Sequence, residues 1–115
     1  SGGHADTAAG ARLAIVTTPL AAGGFPKLVE RLTCLTTTGA HIGAVVTETG
    51  IAIPPSRPDL AQAARAAGLP LSTLDDLRRA AEAIASPGTP GRGRGRVIAE
   101  CESPHGEVID VIRAP

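Results

Sequence analysis

The chain has 115 residues, the size of a single domain, and its 11 basic and 11 acidic residues leave no net charge at neutral pH. Balanced charge provides no global field that would attract nucleic acid or an anionic membrane, so neither partner is expected. Phe25 is the only aromatic residue, and Met and Trp are absent. We therefore expect modest stability in isolation, or a core that something outside the chain completes.

The first half of the chain predicts two buried strands, at 12–18 and 42–47. Each carries a short apolar run that ends close to a turn residue. Between them, 27–32 is predicted to form a turn of helix. The stretch 33–38 is rich in β-branched residues and is closed by Gly39.

Two helices are predicted in the second half. The first begins at Pro58, which suits a first helical position, and ends at Gly68, which can adopt the left-handed conformation. The second is predicted to start at Ser72, with Asp75 reaching back to the Ser72 amide in a capping box. Its predicted apolar face is Leu74, Leu77, Ala81 and Ile84.

The C-terminal third predicts a flexible loop at 86–96 followed by a β-hairpin of strands 97–102 and 107–113. Arginines alternate with glycines in this loop, but no aromatic residue lies nearby for base stacking, so a solvated loop is favoured over an RNA-binding tract. Strands and helices in this order predict an α/β fold with a mixed sheet.

The cysteines and histidines predict neither a disulfide framework nor a metal site. Cys34 and Cys101 are far apart in the sequence, and reduced thiols in a cytosolic protein are favoured over a disulfide. His4, His41 and His105 match no zinc spacing. No signal peptide or membrane-length apolar run is visible, which predicts a cytoplasmic protein.

The candidate site is the opening segment, Ser1 to Thr7. Its glycine pair would let backbone N–H groups approach a ligand and face developing negative charge, whereas the alternative is a frayed terminus. The chain opens without Met and next to this glycine pair, which predicts a fragment of a longer protein. Glu48, at a strand end, could be a nucleophile, but no partner base is evident and a strand terminus is favoured.

Four blocks in order resemble citrate lyase alpha subunits. The segment 2–13 is similar to that family's glycine-rich loop and following strand, 46–52 and 57–60 to its next blocks, and 106–113 to its C-terminal strand. The resemblance covers nearly the whole chain. It implies a CoA-transferase family I fold, a Rossmann-like open sheet with a C-terminal β-hairpin, in which residues 1–115 are the C-terminal portion of the second domain.

The resemblance also implies a reaction. Citrate would displace acetate from an acetyl thioester on an acyl carrier protein, giving citryl-carrier and acetate. The thioester would be carried by a phosphoribosyl-dephospho-CoA arm or by CoA, as substrate and not as a cofactor bound covalently to this chain. The implied partners are the missing N-terminal part of the subunit, the citrate lyase beta subunit and the acyl carrier protein (gamma).

The same resemblance implies that Gly2, Gly3 and Asp6 lie beside the thioester. The neighbouring His4 and Thr7 complete the predicted substrate-binding residues. His4 is expected to hydrogen-bond a citrate carboxylate, and Asp6 to hold the shape of the loop by hydrogen bonds to Thr7 or nearby amides. The loop 21–26 departs from the family because it lacks basic residues. The family's nucleophilic glutamate would lie N-terminal to this chain, and Glu48 is in the wrong block to replace it. Catalytic residues are therefore expected outside the chain, and the fragment alone is expected to be inactive. Two alternatives stay open: a non-catalytic packing role, or a CoA transferase for another small carboxylic acid.

Overall fold

The computed structural model describes residues 3–85 and 93–115. The elements are α1 (His4–Gly10), β1 (Ile15–Thr17), β2 (Ala21–Ala22), β3 (Phe25–Pro26), a 3₁₀ turn (Gly39–His41), β4 (Ala44–Val46), β5 (Ile51–Ala52), α2 (Pro58–Ala66), β6 (Leu71–Ser72), α3 (Leu74–Ile84), β7 (Val97–Glu102) and β8 (Val108–Arg113). Within these two described ranges, no helix has the length and apolar character needed to span a membrane.

The main sheet has four strands in the order β1-β4-β5-β6. The outer pairs, β1 with β4 and β5 with β6, run parallel, while β4 and β5 form an antiparallel pair around a tight turn. Parallel neighbours need a long crossover, and α2 supplies it between β5 and β6. The predicted α/β fold with a mixed sheet is confirmed, although its strands are shorter than the apolar runs that predicted them.

The segment 21–26 forms a small hairpin of β2 and β3. Gly23 and Gly24 have φ values of 61° and 81° at its two turn positions, the combination that closes a two-residue hairpin with the correct twist. The helical turn predicted at 27–32 is wrong, because these residues form bends only. A single uncapped turn fixes several dihedral angles for one hydrogen bond, so it is unstable unless packing compensates.

The core is small. Leu20, Ala52, Leu77 and Ala81 form its buried cluster, with Leu28, Val45 and Ala80 packed against it. Among the described residues, the buried apolar positions are two leucines and five alanines. Short side chains let α3 approach the sheet closely, but they remove little apolar surface from water.

Helix α2 matches its prediction at both ends. Pro58 is its first residue, and Gly68 adopts a φ of 68° just after its end. The Gly68 amide donates to the Arg65 carbonyl and the Leu69 amide to the Ala64 carbonyl, both at 3.0 Å. This pair of bonds is the Schellman motif, which satisfies carbonyls at the end of the helix.

The cap of α3 lies one residue later than predicted. The Thr73 hydroxyl, not that of Ser72, accepts from the Asp76 amide at 3.1 Å and donates to the Asp76 carboxylate at 2.7 Å. Ser72 belongs to β6, where it pairs with Ala52. Both Ser72 and Thr73 are residue types that favour the N-cap, and each has an aspartate three positions later. Because Ser72 is held in the sheet by its pairing with Ala52, the helix starts after Thr73.

Replacing Thr73 with Ala is expected to lower the free energy of unfolding by about 1 kcal/mol, because the Asp76 amide loses its acceptor. Ser72→Ala is the matched control, since the Ser72 hydroxyl makes only a 3.5 Å contact to the Thr73 carbonyl. Urea unfolding of both variants measures the difference. A larger loss for Ser72→Ala would place the cap at the predicted residue after all.

The predicted apolar face of α3 is only partly buried. Leu77 and Ala81 are 2% and 0% exposed, but Leu74 and Ile84 are 52% and 63% exposed. The predicted burial of these last two residues is therefore wrong. The buried pair lies in the middle of the helix, where it packs in the cluster with Leu20 and Ala52. Leu74 and Ile84 are the first and last residues of α3 and extend past this cluster.

The C-terminal hairpin is confirmed. Strands β7 and β8 pair antiparallel, and Gly106 has a φ of 82° in the turn. Beyond β7 the ladder continues, since the Gly95 amide donates to the Ala114 carbonyl and the Ala114 amide to the Arg96 carbonyl. Most of the flexible loop predicted at 86–96 lies outside the described residues, which leave out 86–92.

Candidate functional site

The segment predicted as a glycine-rich loop is largely helical. His4, Asp6 and Thr7 lie in the first turn of α1, and Gly3 is its N-cap, while Gly2 lies outside the described residues. The first bond of the helix runs from the Thr7 amide to the Gly3 carbonyl at 2.9 Å. The amides ahead of Thr7 have no partner within the helix and point out of its N-terminus. The described part of the predicted loop is therefore the start of a helix, and its role in binding a ligand stays a prediction.

Thr7 fixes the position of Gly3. Its hydroxyl donates to the Gly3 carbonyl at 2.8 Å, alongside the bond from its own amide. The prediction that Asp6 holds this segment by hydrogen bonds to Thr7 or nearby amides is wrong, because its carboxylate makes no hydrogen bond or ion pair to any residue within 3–85 or 93–115. Asp6 instead places a negative charge in the first turn, where the helix dipole favours it.

His4 is held by a residue distant in sequence. Its Nδ1 lies 3.1 Å from the hydroxyl of Thr37. This contact fixes the orientation of the imidazole ring. The position of the second ring nitrogen, Nε2, is fixed with it. Thr37 belongs to 33–38, which has neither helix nor strand. The segment 33–38 therefore contributes to the candidate site by holding the His4 ring through Thr37.

A cleft of about 260 Å³ lies at the other end of α1. Its basic lining residues are Arg12, His41 and Arg57. None of the predicted site residues lines it. These three residues could not be predicted together from the sequence, because they come from separate parts of the chain. The only sequence signal was that Arg12 and Arg57 fall in two of the blocks that resemble the family.

Arg57 is partly neutralised by Asp59. The guanidinium donates from Nε and Nη2 to the two carboxylate oxygens at 3.0 and 2.8 Å. This hydrogen-bonded pairing lowers the pKa of Asp59 to about 2 and raises that of Arg57. Because the carboxyl pKa is depressed, the pair stabilises the fold above the ordinary carboxyl pKa and stops doing so as the pH falls through about 2. The Arg12 guanidinium makes no hydrogen bond or ion pair to a described side chain. Its positive charge is therefore available to an anion in the cleft.

Glu48 serves the fold. Both of its carboxylate oxygens lie 3.1 Å from the Leu20 amide, which donates to them. The tight turn between β4 and β5 is thereby attached to the residue that precedes β2. This contact gives the carboxylate a structural role, in line with the strand terminus that the sequence favoured over a nucleophile.

The described part of the chain offers no metal centre, since no three His, Cys, Asp or Glu side chains within it come close enough to share an ion. The groups that this candidate site presents are backbone amides at the start of α1, the His4 imidazole and the basic side chains of the cleft. This set suits an anionic ligand or a developing oxyanion.

A family model described as "Citrate lyase, alpha subunit (CitF)" matches residues 1–114. The chain belongs to this family. It is 45% identical over 113 residues to the citrate lyase alpha chain of Klebsiella pneumoniae. This match includes 98% of the present chain and 22% of the Klebsiella protein. The corresponding Escherichia coli chain is 39% identical over 113 residues, again with 22% of its length covered. The chain thus spans about a fifth of the length of these curated relatives.

A solved citrate lyase alpha subunit has the same architecture. The crystal structure of the Streptococcus mutans protein, in complex with citrate, is 37% identical and superposes with a TM-score of 0.90 over 96% of this chain and 22% of that one. The resemblance that the sequence blocks suggested is confirmed. The mixed sheet and C-terminal hairpin are therefore features that this chain shares with a citrate lyase alpha subunit.

Proposed function

We propose that this chain is part of a longer citrate lyase alpha subunit that transfers an acyl carrier protein thioester from acetate to citrate. The observation that carries the proposal is the family match over 1–114, in a chain that covers only 22% of each relative. The citrate complex of the Streptococcus mutans relative supports citrate as the acceptor acid. The products would be citryl-carrier and acetate.

In this proposal the chain is the C-terminal portion of the second CoA-transferase family I domain, and its short mixed sheet is part of a Rossmann-like open sheet. The α2 crossover between two parallel strands supports that assignment. The nucleophile or base would come from the N-terminal part of the subunit, so the chain alone would be inactive. The subunit would work in the cytoplasm with the beta subunit and the acyl carrier protein.

The proposed reaction has two acyl transfers. A citrate carboxylate attacks the acetyl thioester, and the carrier thiolate leaves as a mixed anhydride forms. The thiolate then attacks the citryl carbonyl of the anhydride, and acetate leaves. Both steps place negative charge on a carbonyl oxygen, and backbone N–H groups that already point at this oxygen stabilise the charge without reorganising.

The start of α1 is suited to this task. Amides ahead of Thr7 point out of the helix, and Thr7 holds the Gly3 carbonyl with two hydrogen bonds. A Cβ added at Gly3 would meet no described atom within 4 Å, so the space beside this backbone is open to a ligand. His4, fixed by Thr37, would donate from Nε2 to a citrate carboxylate.

The basic cleft would contact a different part of the ligand. It lies about 10 Å from the start of α1, the length of a seven-residue helix. Arg12 would there pair with a carboxylate or with a phosphate of the CoA-like arm. These contacts replace the basic residues that the loop 21–26 lacks.

Acyl transfer by the complete subunit tests the proposal. Acetyl-carrier protein and citrate are mixed with an alpha subunit that contains this chain, without the beta subunit, and acetate release and citryl-carrier are measured. We expect both products in equal amounts, and none from the 115-residue chain alone. Transfer to other small carboxylic acids in preference to citrate would support the CoA-transferase alternative instead.

A packing role is the second candidate, and exposed apolar residues favour it. An open apolar groove of about 600 Å³ lies on one face of the sheet, with Leu74 on its border. Exposed apolar patches of this kind mark interaction surfaces. In this alternative the groove packs against the rest of the subunit or a lyase partner, and the start of α1 has no catalytic part. Variants at Gly3 separate the two candidates.

A further inference from the structure

The two cysteines of the chain lie side by side. Cys34 Sγ is 3.0 Å from Cys101 Sγ, although 67 positions separate them in the sequence. Both residues are half-buried, and neither is in a disulfide. Cys101 lies in β7, and Cys34 lies in the irregular segment 33–38. The contact therefore joins the C-terminal hairpin to the irregular segment between β3 and β4.

A hydrogen bond beside the sulfurs holds them in place. Asp110 is the cross-strand partner of Cys101, so the two side chains share one face of the hairpin. The Asp110 carboxylate accepts from the Leu35 amide at 2.7 Å through Oδ2 and from the Val111 amide at 2.7 Å through Oδ1. Because Leu35 follows Cys34 directly, this bond positions the Cys34 thiol over Cys101.

The hairpin is irregular at this point. Its register shifts between Cys101 and Glu102. Such bulges bend a strand and redirect its side chains, and they are found next to functional positions. Two independent features, the bulge and the Leu35–Asp110 bond, thus converge on the sulfur pair.

We propose that Cys34 and Cys101 are a modification site, a dithiol that closes reversibly to an intramolecular disulfide when it meets a small-molecule disulfide oxidant. One thiolate attacks a sulfur of the oxidant and releases one small thiol, leaving a mixed disulfide on the protein. The second thiolate attacks the protein sulfur of that bond and releases the second small thiol. Two protein thiols lose two electrons and two protons, and the oxidant gains both.

The closed bond would fasten the segment 33–38 to the hairpin. In the reduced protein, the Leu35–Asp110 hydrogen bond joins these parts across the same contact. A covalent bridge removes conformations in which they separate. Exchange of the Leu35 amide with solvent reports this directly, because its acceptor lies on the other side of the bridge.

Oxidised glutathione is the probe for the test, applied to the 115-residue chain at low protein concentration and followed by alkylation and intact mass measurement. The chain has only two cysteines, so any intramolecular disulfide must join Cys34 to Cys101. We expect a monomer that is lighter by two hydrogens and resists alkylation, and slower exchange at Leu35. Reduction with dithiothreitol should restore both alkylation and exchange. Two alkylated thiols, stable mixed disulfides, or bonds only between chains would overturn the proposal.

Asp110→Asn and Glu100→Gln test the geometry. Both remove one negative charge from the hairpin beside Cys101, but only Asp110 binds the Leu35 amide. A hydrogen bond to a charged acceptor favours a contact by roughly tenfold or more. Asn is uncharged and has one acceptor oxygen for the two amides that the carboxylate binds, so Asp110→Asn should slow ring closure by about tenfold while Glu100→Gln changes it little. Equal closure rates in all three proteins would show that this clamp does not position the thiols. Circular dichroism of each variant checks that the hairpin is formed.

Discussion

Replacing Gly3 with Val in the complete alpha subunit is expected to lower kcat for acyl transfer by about 10²–10³-fold, the typical cost of losing one oxyanion donor. The side chain would stand in the space that the proposed thioester oxygen occupies. The fold should tolerate it, because Gly3 has φ −73° and ψ 15°, outside the positive-φ region that favours glycine. An added Cβ meets no described atom within 4 Å. The measurement is single-turnover release of acetate from acetyl-carrier protein.

Gly10→Val is the matched control. Gly10 ends α1, and a Cβ there also meets nothing within 4 Å among the described atoms. The same substitution is thus made at both ends of one helix, and only the first is predicted to face the thioester. Gly10 lies next to the basic cleft, so Gly10→Val is expected to change KM at most and to leave kcat unchanged. Thermal unfolding of both variants confirms that each is folded. A folded Gly3→Val subunit with unchanged kcat would remove the start of α1 from the mechanism and favour the packing role.

Elements with local signals were predictable from the sequence. Helix α2 has a proline at its start and a glycine just past its end, and the structure uses both. The hairpin of β7 and β8 has two strands rich in Val and Ile on either side of a turn that contains Gly106. These features depend on dihedral preferences of residues close together, which a single sequence contains.

The start of the chain shows a competition between local signals. The pair Gly2–Gly3 predicted a loop, but 4–10 is a helix. Three alanines in that stretch, the best helix-forming residue, outweigh the flanking glycines. Thr7 adds a bond to the Gly3 carbonyl, four residues earlier, which a Thr hydroxyl in a helix can reach. The predicted loop is therefore wrong for 4–10, and the role of its backbone amides stays a prediction.

Contacts between segments that are distant in the sequence could not be predicted from it. Cys34 meets Cys101, His4 meets Thr37, and the basic cleft gathers residues from three parts of the chain. Each depends on how 27–43, which has no strand or α-helix, lies against the rest of the molecule. No periodicity specifies that course, because it follows from tertiary packing.

Leu77→Ala is expected to lower the free energy of unfolding of the chain by about 2–5 kcal/mol. Leu77 is 2% exposed and packs in the cluster with Leu20, Ala52 and Ala81. Its alanine neighbours are too short to move into the space left behind, so a cavity remains and the loss should fall in the upper part of that range. Urea denaturation, followed by circular dichroism, measures it.

Leu74→Ala provides the comparison, since it removes the same atoms from the same helix at a residue that is 52% exposed. In the 115-residue chain it should cost less than about 1 kcal/mol, because little apolar surface is lost from the interior. In the complete subunit, the cost should rise if the apolar groove beside Leu74 is covered there. Equal losses for Leu74→Ala and Leu77→Ala in the chain alone would contradict the burial pattern of α3, and with it the position of the core.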